Sequence, residues 1–137
     1  MVYFSRNSLK GDNAMRVFIY YNLHRKCWSV KALEGESKGR VIAHCDNVYI
    51  TECFMKVSQA GRLRVIKEKR KNVHAGIIGE WTNDLMVIAK YIGYSHKGKT
   101  ITYNPYIHTS FVEKETGNRV YSANCVTLNG RTVTAYN

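Results

Sequence analysis

Residues 58–74 read SQAGRLRVIKEKRKNVH, and the fold class turns on them, because no other segment carries a helix start signal, an apolar stripe and a charged end. Ser58 is placed as an N-cap, where its hydroxyl accepts a hydrogen bond from a free first-turn N–H. Ala60, Leu63 and Ile66 recur at helical spacing and predict a narrow stripe laid on a core. Arg62, Arg64, Lys67, Lys69, Arg70 and Lys71 make six of the ten residues from 62 to 71 basic, with Glu68 the one acid among them. Cations are favoured near a helix C-terminus by the helix dipole, so this run is also what an ordinary surface helix carries with no partner at all.

Outward from this helix, the pattern changes to period two. Arg16–Tyr21 (RVFIYY) and Cys27–Leu33 (CWSVKAL) are rich in β-branched and aromatic residues and predict a hairpin, with Arg25 and Lys26 at its tip. Val17, Ile19 and Tyr21 share one face, as do Trp28 and Val30. Val41–Cys45 and Val48–Val57 predict two strands separated by turn residues Asp46 and Asn47. Beyond the helix, Val73–Trp81 resumes strand character, and Gly76 and Gly79 predict a bulge or a close backbone approach. Leu85–Tyr94 (LMVIAKYIGY) reads as a buried strand, with a short helix capped by Asp84 as the alternative. Thr100–Tyr103 alternates as a strand that Pro105 ends or edges. Ile107–Val112 and Arg119–Leu128 predict a second hairpin, and Asn129–Gly130 a tight turn into a return strand, Arg131–Tyr136. Residues 1–14 read as an arm or edge strand. The expected fold is therefore α+β, a single domain over 1–137, with a mostly antiparallel curved sheet or half-barrel and one principal helix.

Composition bounds the function. The chain has 137 residues, 21 Lys and Arg against 10 Asp and Glu, and a net charge of +11. Apolar content of 45% predicts a folded domain, so the excess charge sits on a surface that favours polyanions. No apolar stretch has the length of a secretory h-region or a membrane span, and a cytoplasmic location follows as the expectation. Cys27, Cys45, Cys53 and Cys125 form no CxxC pair and are expected as free thiols without metal. Zinc ligation by His44 with these cysteines is disfavoured, because His44 and Cys45 are adjacent and point to opposite faces of a strand. The acids are scattered, with no paired-carboxylate pattern for metal-dependent hydrolysis. His24, His44, His74, His96 and His108 are available for acid–base work, but no spacing selects a pair. No cofactor fingerprint is present. The positive residues, with Phe18, Tyr20, Tyr21, Trp28 and Tyr49 among the first strands, fit a nucleic-acid surface in which cations hold the backbone and exposed rings stack bases. Trp28 and Phe18 are expected in the core.

Three stretches, KGRVIAHCDNVYI (38–50), GRLRVIKEKRKNVHAGIIG (61–79) and TYNPYIHTSFVEKETGNRVYSA (102–123), resemble a group of small basic proteins encoded by bacteriophages and other mobile elements. The resemblance implies a protein that manipulates a host, by binding nucleic acid or by blocking a defence complex as anti-CRISPR proteins do. It brings no catalytic residue or cofactor. The expected function is a non-enzymatic accessory protein binding nucleic acid or a host ribonucleoprotein in the bacterial cytoplasm, through Arg62, Arg64, Lys67, Lys69, Arg70 and Lys71 with Arg25 and Lys26. A protein–protein inhibitor of a defence system such as CRISPR-Cas is the alternative, and a small nuclease the second.

Overall fold

The structure, a computed structural model, describes residues 14–82, 84, 86, 89, 90, 92 and 98–137. The expected N-terminal arm lies almost wholly outside the described residues. The strands are β1 (Met15–Asn22), β2 (Cys27–Ala32), β3 (Val41–Cys45), β4 (Asn47–Val57), β5 (Ala75–Trp81), β6 (Lys99–Thr102), β7 (Phe111–Glu113), β8 (Arg119–Val120), β9 (Ser122–Asn129) and β10 (Thr132–Tyr136), and the helix α1 (Gln59–Glu68) joins β4 to β5. They form one sheet in the order β3-β2-β1-β5-β4-β9-β10-β6-β7-β8, with antiparallel pairing throughout.

Alternation supplies the core. Val17 and Ile19 of β1, Val30 of β2, Ile77 of β5 and Val126 of β9 are almost fully buried and belong to one cluster, which Ile101, Phe111 and Val133 join from the far strands. The sheet therefore curls, burying one face against itself. The indole N–H of Trp28 in β2 reaches across to donate to the Gly130 carbonyl in the β9–β10 turn at 2.6 Å. Gly130 has φ +58°, the left-handed conformation that its Asn-Gly turn requires.

Two devices shape the sheet. In β4 the pairing with β5 slips between Thr51 and Phe54, and Glu52 sits at φ +51°. This bulge shifts the alternation by one residue: Val48 and Ile50 are buried before it, Cys53 after it, and Phe54 is exposed. At Gly76, an added Cβ would collide with the Ile19 carbonyl and lie 2.5 Å from the Phe18 ring, so the expected close approach is real.

The fold class is a correction. Of the described residues, 52% lie in strands and 12% are helical, which makes the protein mostly β, an open curled sheet, and not α+β. The physical reason is the size of the helix. Ten residues with only Gly61 and Val65 buried make an appendage to the sheet, not a second layer. Its start is as expected, with the Ser58 hydroxyl accepting from the Gly61 N–H at 3.1 Å. Its buried stripe is not: Ala60 and Leu63 are exposed, Leu63 at 59%. A Cβ on Gly61 would come within 2.7 Å of His74 Cβ, so α1 rests closely on its own return segment at Gly61 and faces inward there. Nor does the helix reach His74. Lys69 adopts φ +55° and its N–H closes on the Val65 carbonyl, ending α1 after Glu68.

The strand expected over 85–94 falls mostly outside the described residues. Met86, Ala89, Lys90 and Ile92 are helical, the alternative, and the Asp84 carboxylate accepts from the Met86 N–H at 2.9 Å. The second hairpin is shorter than expected: β7 pairs with β8, the ladder breaks at Tyr121, and β9 pairs instead with β4 and β10. Among the described residues, no helix is long and apolar enough to cross a membrane.

Candidate nucleic-acid interface

The curl leaves a cleft of about 770 Å³ between the β1 end of the sheet and the β6–β7–β10 end. One wall comes from Tyr21 and the β1–β2 turn residues Leu23 and His24, the other from Tyr103, Tyr106 and Phe111. The segment after α1 supplies Arg70, Lys71, Asn72, Val73 and His74, while Arg131 comes from the β9–β10 turn. Ile77, Ile101 and Val133 are buried residues beneath it.

Each piece is held by identifiable bonds. The Asn22 side chain accepts from the His24 and Arg25 N–H groups, both at 3.0 Å, and shapes the β1–β2 turn. The Asn104 side chain accepts from the Tyr106 N–H at 2.9 Å, and its carbonyl accepts from the Ile107 and His108 N–H groups. That loop is tied to α1. Arg62 Nε donates to the carbonyls of Pro105 at 2.9 Å and His108 at 2.8 Å, and Gln59 Nε2 donates to the Thr109 carbonyl at 2.8 Å.

Rings run along the cleft in two groups. His74 lies 5.5 Å from Tyr103, which stacks on Phe111 at 5.3 Å. Tyr21 meets Trp28 edge-on at 5.2 Å and carries the Arg131 guanidinium 4.7 Å above its ring centroid. His74 Nδ1 faces the Asn72 carbonyl at 2.9 Å and so carries the proton there, which leaves Nε2 to accept from the Tyr103 hydroxyl at 2.7 Å in the neutral ring. Burial raises the Tyr103 phenol above its ordinary pKa, offset in part by the Arg62 charge, so Tyr103 stays a neutral donor.

Electrostatics give the cleft its character. Arg70, Lys71 and Arg131 are three cations, His24 and His74 add two imidazoles, and none of the described residues lining it carries a carboxylate. Three lining residues are apolar or aromatic and well exposed: Leu23 at 43%, Val73 at 52% and Tyr106 at 61%. Such exposure in one concave place is a mark of a binding groove.

The structure divides the expected basic run. Arg70 and Lys71 line the cleft. Arg64 and Lys67 are exposed on α1, and Lys69 is its exposed cap, none of them in the lining. Arg62 is half-buried and anchors the 105–109 loop. Arg25 and Lys26 stand exposed on the turn beside His24, outside the lining. The cleft also takes in Tyr103, Tyr106 and Arg131, which the sequence does not single out, and His74, which it offers only as one of five histidines with no spacing to select it. Tyr103 and Tyr106 flank Pro105 and Arg131 follows the Asn-Gly turn, so local turn chemistry was the available signal.

Elsewhere, all four cysteines carry free thiols, with Cys53 and Cys125 buried. Burial pushes both up in pKa, Cys125 to about 12, which keeps them as neutral, small core residues. Among the described residues, no three His, Cys, Asp or Glu side chains converge as metal ligands.

The sequence model of one family, described as Mycobacterium phage L5 gene 82 protein, matches residues 10–136. The chain belongs to this family. The gene 82 protein of Mycobacterium phage L5 is 43% identical over 108 residues, covering 74% of this chain and 80% of the relative. The phage origin implied by the resemblance therefore holds at the level of a phage protein family. No solved structure matches the chain.

Proposed function

We propose that this phage protein acts by binding nucleic acid, or a host ribonucleoprotein through its nucleic acid, inside the infected bacterial cell. The observation that supports this best is a concave site with Arg70, Lys71 and Arg131 around it and no carboxylate among its described lining residues. In a chain of net charge +11, such a site concentrates positive potential where low-dielectric walls strengthen it. The protein contributes binding and no bond cleavage in this proposal. His74 is engaged by Asn72 and Tyr103, and the site is built from rings and cations.

Binding to fluorescent single-stranded and duplex DNA and RNA across a salt series tests it. The expected outcome is a logarithm of affinity that falls linearly with the logarithm of salt concentration, with intact oligonucleotide recovered afterwards. Absence of binding to all four at low salt would overturn the proposal, and cleaved product would return the protein to the nucleases. The rival reading, inhibition of a defence protein, draws on β3, an edge strand among the described residues, where Val41 and Ile42 are both exposed. An open edge can pair with a partner's strand, and that contact would be far less sensitive to salt.

A further inference from the structure

We propose that the cleft accepts unpaired bases, so that the preferred ligand is single-stranded nucleic acid with a base stacked on Tyr106. The inference rests on the nucleic-acid reading and narrows it.

Size comes first. A cleft of about 770 Å³ lies within the roughly 300–1,000 Å³ of sites that enclose small organic ligands. It can take a nucleotide or two, whereas a duplex can touch only its rim. A site for duplex phosphates alone would need no apolar lining. Here the lining includes the exposed side chains of Leu23 and Val73 along with Tyr106, while Ile77, Ile101 and Val133 are buried behind it. These surfaces suit the faces of bases, not phosphates.

Tyr106 is exposed over 61% of its surface, yet its backbone is held fast. Its N–H bonds to the Asn104 side chain, and Arg62 clamps the carbonyls of Pro105 and His108 on either side of it. A ring presented by a fixed backbone loses little further freedom on binding, which is what a stacking platform requires. Cations stand at more than one side of the opening. Arg70 and Lys71 come from the segment after α1, and Arg131 from the β9–β10 turn over the Tyr21 ring. A strand crossing the cleft can lay phosphates on both sets while a base turns inward. Arg62 acts here as a positioning residue.

The test compares Tyr106→Ala and Tyr106→Phe with the unaltered protein. The probes are a short oligothymidine, an abasic oligonucleotide of the same length, and a duplex, all at one salt concentration. The expected result is that the unaltered protein prefers oligothymidine to the abasic probe. Tyr106→Ala should weaken oligothymidine binding by roughly fivefold to a hundredfold and leave the abasic probe and the duplex unchanged. Tyr106→Phe should keep the preference, because it keeps the ring. Tyr106 is a surface residue, and thermal melts of the variants should confirm an intact fold. Equal binding of all three probes, or no change in Tyr106→Ala, would overturn base stacking while nucleic-acid binding stood. Failure of every probe to bind would take the broader reading down as well.

Discussion

The outer side of α1 and the six residues that follow it carry the same kind of charge and are placed differently. Arg64 and Lys67 are exposed on the helix, away from the cleft lining. Arg70 and Lys71, only three to seven positions on, line the cleft with Val73 and His74. The difference begins at Lys69, whose left-handed backbone ends the helix. Had α1 continued, 3.6-residue geometry would have put Arg64, Lys67, Arg70, Lys71 and His74 on one helix face, within about 120° of each other. The irregular segment instead brings Arg70 through His74 along one opening. Charge density alone does not make a site; the path of the backbone decides which charges converge.

The largest effect should come from separating the two groups. Gln at Arg70, Lys71 and Arg131 should lower the salt slope for a single strand by up to roughly 2, at about 0.7 per phosphate contact, a difference of roughly twentyfold over a fourfold rise in salt. Gln at Arg64 and Lys67 should leave affinity and slope nearly unchanged. Anisotropy titrations at several salt concentrations check both, and equal losses in the two variants would erase the distinction.

Arg62 belongs to neither group, and Arg62→Met examines that directly. Removing a charged donor from two carbonyls should cost roughly 1–3 kcal/mol in urea denaturation. It should also weaken single-strand binding more than one surface cation would, because the Tyr106 loop loses its clamp. A stability unchanged by the substitution would show the link to be dispensable.

The seat of the helix can be measured with a pair of truncations. Val65→Ala removes buried methyl groups and should cost about 1.5 kcal/mol, whereas Leu63→Ala should stay within about 0.5 kcal/mol. The reverse order in denaturant midpoints would mean that α1 is rotated from the position described.

The smallest expected effect has an informative sign. Ala in place of Gly normally favours a helix interior by about 1 kcal/mol. At Gly61 the new Cβ would sit 2.7 Å from His74 Cβ, and crowding of that kind costs typically 1–3 kcal/mol. Gly61→Ala should therefore destabilise the protein by about 1 kcal/mol in thermal or urea melts. A gain in stability would show that α1 and the cleft segment can move apart freely.

Much of the strand pattern was legible because burial on a sheet face writes itself as alternation. Val17, Ile19, Trp28 and Val30 are buried as their spacing predicts, and the Ser58 cap, the Gly76 approach and the Asn129–Gly130 turn are local chemistry. The buried face of α1 was not legible. Leu63 is the more apolar choice by type, but contact with His74 is made at Gly61, and a glycine leaves no hydrophobic mark in a sequence. The bulge at Glu52 was equally silent: it puts Phe54 outside and Cys53 inside, against the simple preference of the residues.

The sequence by itself determined the positive charge, the antiparallel strands, the hairpin turns and the place where α1 starts, since each depends on neighbours within a few residues. Tertiary structure alone decided the cleft. Tyr21, Lys71, Tyr103 and Arg131 are far apart in the chain and meet only because the sheet curls until β1 and β10 face one another. That curl is set by bulge, twist and packing over the whole sheet, so no local window of sequence contains it.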